Sequence, residues 1–197
     1  LDDNTFIKGS IKPSDSLFKL EVRAPSIAVN NTQLNGLSLK IDTKQPIYHS
    51  NIRIDEIATP KAKLYDVEWI NAQVSDKLYG RIEFGSAKEA KDINIINTAF
   101  TINDSAQGIL EIQDLALFFN NNRWTIDKQY GSPTLTATST SDFAFSNLNF
   151  MTENSAITAN ASQNGNDSFA VDVKFSNVYL RDLLSFQKDR WEGTLNG

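Results

Sequence analysis

Apolar and polar residues alternate along most of this chain with a period of two. The clearest run is Phe169, Val171, Val173 and Phe175, spaced by Ala170, Asp172 and Lys174. A strand projects successive side chains to opposite faces, so this run predicts one apolar face and one wet face. The same unit recurs through the last third: Trp124 and Ile126, then Phe143 and Phe145, then Ile157, Ala159 and Ala161. Tyr130-Gly131-Ser132-Pro133 and Gln163-Asn164-Gly165-Asn166-Asp167 separate the runs as turns.

Earlier in the chain, Phe18, Leu20 and Val22 alternate with Lys19, Glu21 and Arg23. Pro25 interrupts, and Ile27 and Val29 resume on the other parity, which predicts a bulge or a short break. Leu37, Leu39 and Ile41 follow Asn35-Gly36. Ile52 and Ile54 mark the next strand or two, and Tyr65, Val67 and Trp69 another. Leu110, Ile112, Ala116 and Phe118 share one parity; Leu115, Leu117 and Phe119 share the other. The run 115–119 is apolar on both, as in a covered strand or a helical turn. Ser86 to Asp92 has helix-forming composition but is too short to stand alone. The pattern predicts roughly a dozen to fifteen strands and no α-crossovers, which argues against a parallel βαβ architecture. Sandwich, barrel and elongated sheet all satisfy it.

Composition adds a little. Apolar residues make up 40% of 197, with twelve Phe, enough for a sizeable core. A net charge of −5 and no basic cluster argue against a nucleic-acid partner. Without Cys there is neither thiolate chemistry nor a disulfide. No apolar stretch is long enough for a membrane-crossing helix. The abrupt start at Leu1-Asp2-Asp3-Asn4 and the stop at Leu195-Asn196-Gly197 read as the ends of a single segment, 1–197, of something longer.

The search for chemistry is unproductive. His49 is the sole His, with no nucleophile elbow near it, so a surface or half-buried role is expected. Asp2-Asp3-Asn4 and Asn164 to Asp167 are poor calcium loops. Asp66 with Glu68, and Glu111 with Asp114, are ordinary strand carboxylates rather than a glycosidase pair. Phosphate-cradling loops are absent. Four sequons, at Asn30, Asn103, Asn160 and Asn166, indicate exposed turns. Trp69, Trp124 and Trp191 read as core anchors. The expectation is a non-enzyme without cofactor or metal. The abundant apolar strand face is either the core of a closed sandwich or the lining of an open trough for lipid or an apolar strand.

Asn121 to Asp127, Phe143 to Phe150, Ser155 to Ala161, Phe169 to Leu184 and Gly193 to Gly197 follow one another in an order and spacing that resemble the TamB-like proteins of Bacteroidetes-type bacteria. Asn121-Asn122-Arg123-Trp124-Thr125-Ile126-Asp127 resembles the family's N-x-x-W-x-I/L strand, and Phe143 to Phe150 the strand after it. Ser155 to Ala161 is similar to its I-x-A/V-x-G strand, with Ala161 standing where Gly is usual. Phe169 to Leu184 follows L-x-V-x-F-x-N-x-x-L-x-x-L, and Gly193 to Gly197 follows G-x-L-N-G. The stretch Phe186 to Arg190 is more polar than the family pattern. The resemblance is good over 110–197 and looser over 34–109.

The resemblance implies an all-β, elongated, curled antiparallel sheet forming an open apolar groove, a repeating β-groove or β-taco. It implies a periplasmic segment whose parent is anchored in the inner membrane and which works with an outer-membrane β-barrel partner in the translocation and assembly module. Two roles attach to that family: conducting phospholipid between membranes and assisting outer-membrane protein assembly. Groove-lining candidates are then Leu110, Ile112, Phe118, Trp124, Ile126, Phe143, Phe145, Ile157, Phe169, Val171, Val173 and Phe175. Leu180, Leu183 and Leu184 recur at helical spacing and predict a short helix near 178–186 that caps the trough. Two other readings stay open: a chaperone whose sheet edge pairs with barrel strands, and a plain structural or adhesive β-module.

Overall fold

The computed structural model describes residues 4–44, 48–139, 141–165, 168–183 and 193–197. It divides into two compact units, Leu1–Ile95 and Ile96–Gly197, with the chain passing from one to the other inside a strand.

In the first unit, six strands follow in chain order: β1 (Phe6–Lys12), β2 (Leu17–Val29), β3 (Thr32–Asp42), β4 (Tyr48–Ala58), β5 (Lys63–Val74) and β6 (Lys77–Gly85). Each pairs antiparallel with the next. Register converts the period-two pattern into rows. Ile7, Val22, Leu39, Ile52, Trp69 and Ile82 lie side by side across all six strands. Ala24, Leu37, Ile54 and Val67 fall on the same face, two residues along. The opposite face carries Lys8, Glu21 and Lys40 in one row and Lys19, Asp42 and His49 in another. One charged and one apolar face is the expected signature of an antiparallel sheet wetted on one side only.

Of the bulge or short break expected at Pro25, it is the break that forms. Val22↔Leu39 and Ile27↔Leu34 belong to one uninterrupted register, so no residue is inserted. Pro25 has no N–H to give the ladder. Opposite it, Gly36 takes φ +68, so the pairing skips one step and resumes. Beyond that step the apolar row Ile27–Leu34–Ile57–Leu64 has the opposite parity from the first.

The second unit continues with β7 (Ile93–Ile102), β8 (Gly108–Phe119), β9 (Asn122–Ile126), β10 (Thr134–Ser139), β11 (Asp142–Met151), β12 (Ala156–Asn164) and β13 (Ser168–Ser176). Its strand order is β7-β8-β10-β11-β12-β13, and β9 pairs with both β8 and β11. Neither unit closes on itself as a barrel. The short pair β14 (Val178–Tyr179) and β15 (Thr194–Leu195) follows, with one helical turn, α1 (Leu180–Leu183), between them. Of the helix expected near 178–186, Leu180–Leu183 are helical and Val178 and Tyr179 are extended, while 184–186 lie outside the described residues. Ser86–Asp92 forms turns and bends without a helix. The run 115–119 is strand, with Leu115 and Ala116 buried. Among the described residues no helix is long and apolar enough to cross a membrane.

Candidate functional site: an apolar sheet face

Register gathers the sequence-derived candidates of the second unit. Leu110 pairs with Leu135, Leu135 with Phe145, Phe145 with Ala161 and Ala161 with Val171. Phe143 and Phe169 both pair with Gln163. Ile126 pairs with Phe150, Phe150 with Ile157 and Ile157 with Phe175. Val173 stands beside Ala159, which pairs in turn with Leu148. With Trp124 two residues from Ile126, and Ile112 packed against that core, eleven of the twelve candidates share one face.

Phe118 does not. It pairs with Arg123, on the face opposite Phe119 and Trp124. Strict alternation through β8 grouped Phe118 with Leu110 and Ile112. The register shows instead that β8 changes parity between Ile112 and Leu115, so Leu115, Leu117 and Phe119 take the shared face. The signal is legible: Gln113-Asp114 puts two consecutive polar residues where alternation allows one. Phe145-Ser146-Asn147-Leu148 does the same in β11, where the register shifts and Asn147 takes φ +63. Asn147 N–H, displaced from the ladder, donates to Asn160 Oδ1 at 3.1 Å. Asn visits the left-handed region more readily than most residues, which suits it to such a step.

Burial differs sharply along this one face. Around Trp124 it is a dry core: Leu115, Ile126, Phe150 and Val178 are buried with it. Trp124 and Phe150 rings lie 5.1 Å apart, and Phe119 meets each edge-on at 6.3 and 6.2 Å. Edge-on and offset ring pairs of this kind each add about 0.5–1.5 kcal/mol beyond area burial. What closes this end is the segment after β13. Val178 is fully buried and Leu195 packs beside it. Ser155 Oγ donates to the Asn177 carbonyl at 2.7 Å, holding the turn that delivers them. Trp124 Nε1 is buried with no hydrogen-bond partner among the described residues.

At β13 the same face is open. Phe169, Val171 and Val173 remain 67%, 54% and 40% exposed. In the first unit Trp69, within the six-strand apolar row, is 43% exposed, while Ala24 and Ile54 in the neighbouring row are buried. On the far side of the Trp69 row the face turns polar, where Asn71 Nδ2 donates to Ser50 Oγ at 3.2 Å. Each unit therefore presents an exposed apolar sheet face able to contact apolar surfaces.

The charged face of the first unit forms an open hollow of about 430 Å3 lined by Lys8, Lys19, Glu21, Lys40, Asp42 and His49. His49 is exposed there. Lys19 Nζ pairs with Asp42 Oδ2 at 2.7 Å. Glu68 accepts from Asn51 Nδ2 at 2.8 Å, and Asp66 adopts φ +50, which breaks the simple alternation that paired it with Glu68. Among the described residues no cluster of three or more His, Asp or Glu is placed to hold a metal ion. The two calcium-loop candidates and Trp191 lie wholly or partly outside the described residues.

Comparison with family models, with curated proteins and with solved structures finds no match.

Proposed function

We propose that this chain is a non-enzymatic, groove-forming segment of a TamB-like protein, working in the periplasm to shield phospholipid acyl chains between two membranes. The observation that carries the reading is the exposure of Phe169, Val171 and Val173 on the face that is fully dry at Trp124. Three large apolar side chains in one row, left to solvent beside an intact core, favour an apolar ligand. The Trp69 row of the first unit supports it independently, because six apolar residues from six strands line one face in register. Each methylene of an acyl chain moved from water to such a row contributes about 0.8 kcal/mol. No charged group interrupts either row, so an acyl chain slides along it without breaking a fixed polar contact while its headgroup stays hydrated. The outer-membrane barrel partner belongs to this proposal as the protein at the outer-membrane end.

The test is native mass spectrometry with lipid extraction on the wild-type protein and on a Val171→Asp/Val173→Asp variant. Both positions are exposed, so the variant is expected to fold, which circular dichroism checks. Phospholipid carried by the wild type and lost from the folded variant is the expected result. A lipid-free wild type, or a variant that retains lipid, refutes the assignment of this face and favours a structural β-module.

A further inference from the structure

The charged face of the first unit carries an excess of positive charge, although the whole chain is at −5. Across β1–β4, up to the step at Pro25 and Gly36, register places Lys8, Lys12, Lys19, Arg23, Lys40 and Arg53 on this face against Glu21 and Asp42. Both carboxylates are already engaged. Lys19 Nζ meets Asp42 at 2.7 Å and the Lys44 backbone N–H donates to it at 2.9 Å. Arg23 holds Glu21 at 2.7 Å, drawing it along β2 toward a residue outside the hollow. Lys8 and Lys40, both exposed and both lining the hollow, pair with no carboxylate among the described residues.

Lys8 and Lys40 stand in one row on either side of Glu21, two strand spacings or about 10 Å apart at their Cα atoms. The floor between them is β2 and β3, each paired on both sides. Two lysine side chains rising from opposite walls can converge on a small anion, and Ser10 adds a hydroxyl on the same wall as Lys8. We propose that this hollow is a phosphate site, with Lys8 and Lys40 as the ionic partners and Ser10 as a hydrogen-bond donor. The charges match, since a phosphate monoester carries about −1.5 to −2 at neutral pH and meets two unpaired ammoniums. An ammonium acts on phosphate as a point charge, so an exposed face without a fixed fork of donors suffices. The phosphate belongs to a soluble ester or to a lipid headgroup. The site does not rest on the acyl-chain reading, because it occupies the other face of the sheet.

His49, the sole His, forms the wall beyond Asp42, so its ring-proton NMR signals report on the hollow without overlap. Inorganic phosphate at neutral pH should shift them saturably, and sodium chloride of equal ionic strength should not. Lys8→Gln and Lys40→Gln should each weaken binding about fivefold, as for one exposed ion pair, and together abolish the saturable shift. Lys63→Gln, outside the hollow and paired with Glu56, should leave it unchanged. Circular dichroism checks that these exposed-site variants keep the fold. Co-sedimentation with phosphatidylglycerol vesicles separates the two sources. Vesicle binding that the double variant loses assigns the phosphate to a lipid headgroup; a saturable phosphate shift without vesicle binding assigns it to a soluble ester. A shift that chloride reproduces, that does not saturate, or that survives in the double variant overturns the proposal.

Discussion

Asn122 Nδ2 donates a 3.0 Å hydrogen bond to Asp182 Oδ2, joining residues sixty apart in the chain. Asn120 Nδ2 reaches the other oxygen at 3.2 Å. Asp182 sits in α1 and is buried; Asn120 and Asn122 flank the β8–β9 turn. This bond anchors the short helix that follows Val178, and so helps close the face over Trp124.

Removing the carboxylate leaves two amides without an acceptor. Asp182→Ala should destabilise the second unit by about 1–3 kcal/mol, the net worth of hydrogen bonds from two exposed amides to one buried carboxylate. Urea unfolding followed by Trp fluorescence measures it. A variant as stable as wild type means the α1 contact is incidental.

The two ends of the apolar face should respond oppositely to truncation. Trp124→Ala is expected to cost about 3–5 kcal/mol, because the site is fully buried and ringed by aromatic contacts. Phe169→Ala, at an exposed site, should cost under about 1 kcal/mol. Trp124→Phe should cost much less than Trp124→Ala, since it keeps an aromatic ring and removes a buried donor that has no acceptor among the described residues. Equal losses at positions 124 and 169 would mean that both ends are core.

Gly36 sits at φ +68, and a Cβ there would lie within 2.9 Å of Asp55 Cβ and closer still to its carboxylate. Gly36→Ala combines a disfavoured backbone with this crowding and should cost about 1–3 kcal/mol. Gly165, also at positive φ but with open space around it, should lose less. Thermal melts of the two variants side by side provide the comparison.

The ion pairs set a pH signature. The hydrogen bond from Lys19, helped by the Lys44 backbone N–H, holds the Asp42 carboxyl below its ordinary value of 3.8. A depressed folded value gives stability that is present above the unfolded value and lost as pH falls through the folded one. Glu56 raises Lys63 above 10.5, so that contribution is present below the unfolded value and lost as pH climbs through the folded one. Both pairs are exposed, and the effects are small. In a carboxyl-carbon NMR titration, Lys19→Met should move the Asp42 midpoint upward toward 3.8. An unmoved midpoint would show that Lys19 is not the cause.

Much of the architecture was legible from period-two alternation, and the places where it misled are physically specific. Phe169, Val171, Val173 and Phe175 fall on one face because a strand has no other way to place them. Phe118 was grouped with Leu110 and Ile112 by the same rule, and β8 breaks the rule within Gln113-Asp114. At Pro25 the parity change left a bulge and a short break open, and the register has the break, one skipped pairing opposite Gly36. Leu115, Leu117, Leu148, Phe150 and Leu195 joined the site only through pairing between distant strands.

By itself the sequence determined an all-β chain of amphipathic antiparallel strands, because side-chain parity is local and reads directly as face. Which faces are covered was decided only in three dimensions. Trp124 and Val171 have the same parity signature, yet one is fully enclosed and the other half open. The difference lies in what packs above them: Val178 and Leu195 reach the first from farther along the chain, and no described residue buries the second. Alternation specifies direction within a strand, whereas burial depends on neighbours it does not encode.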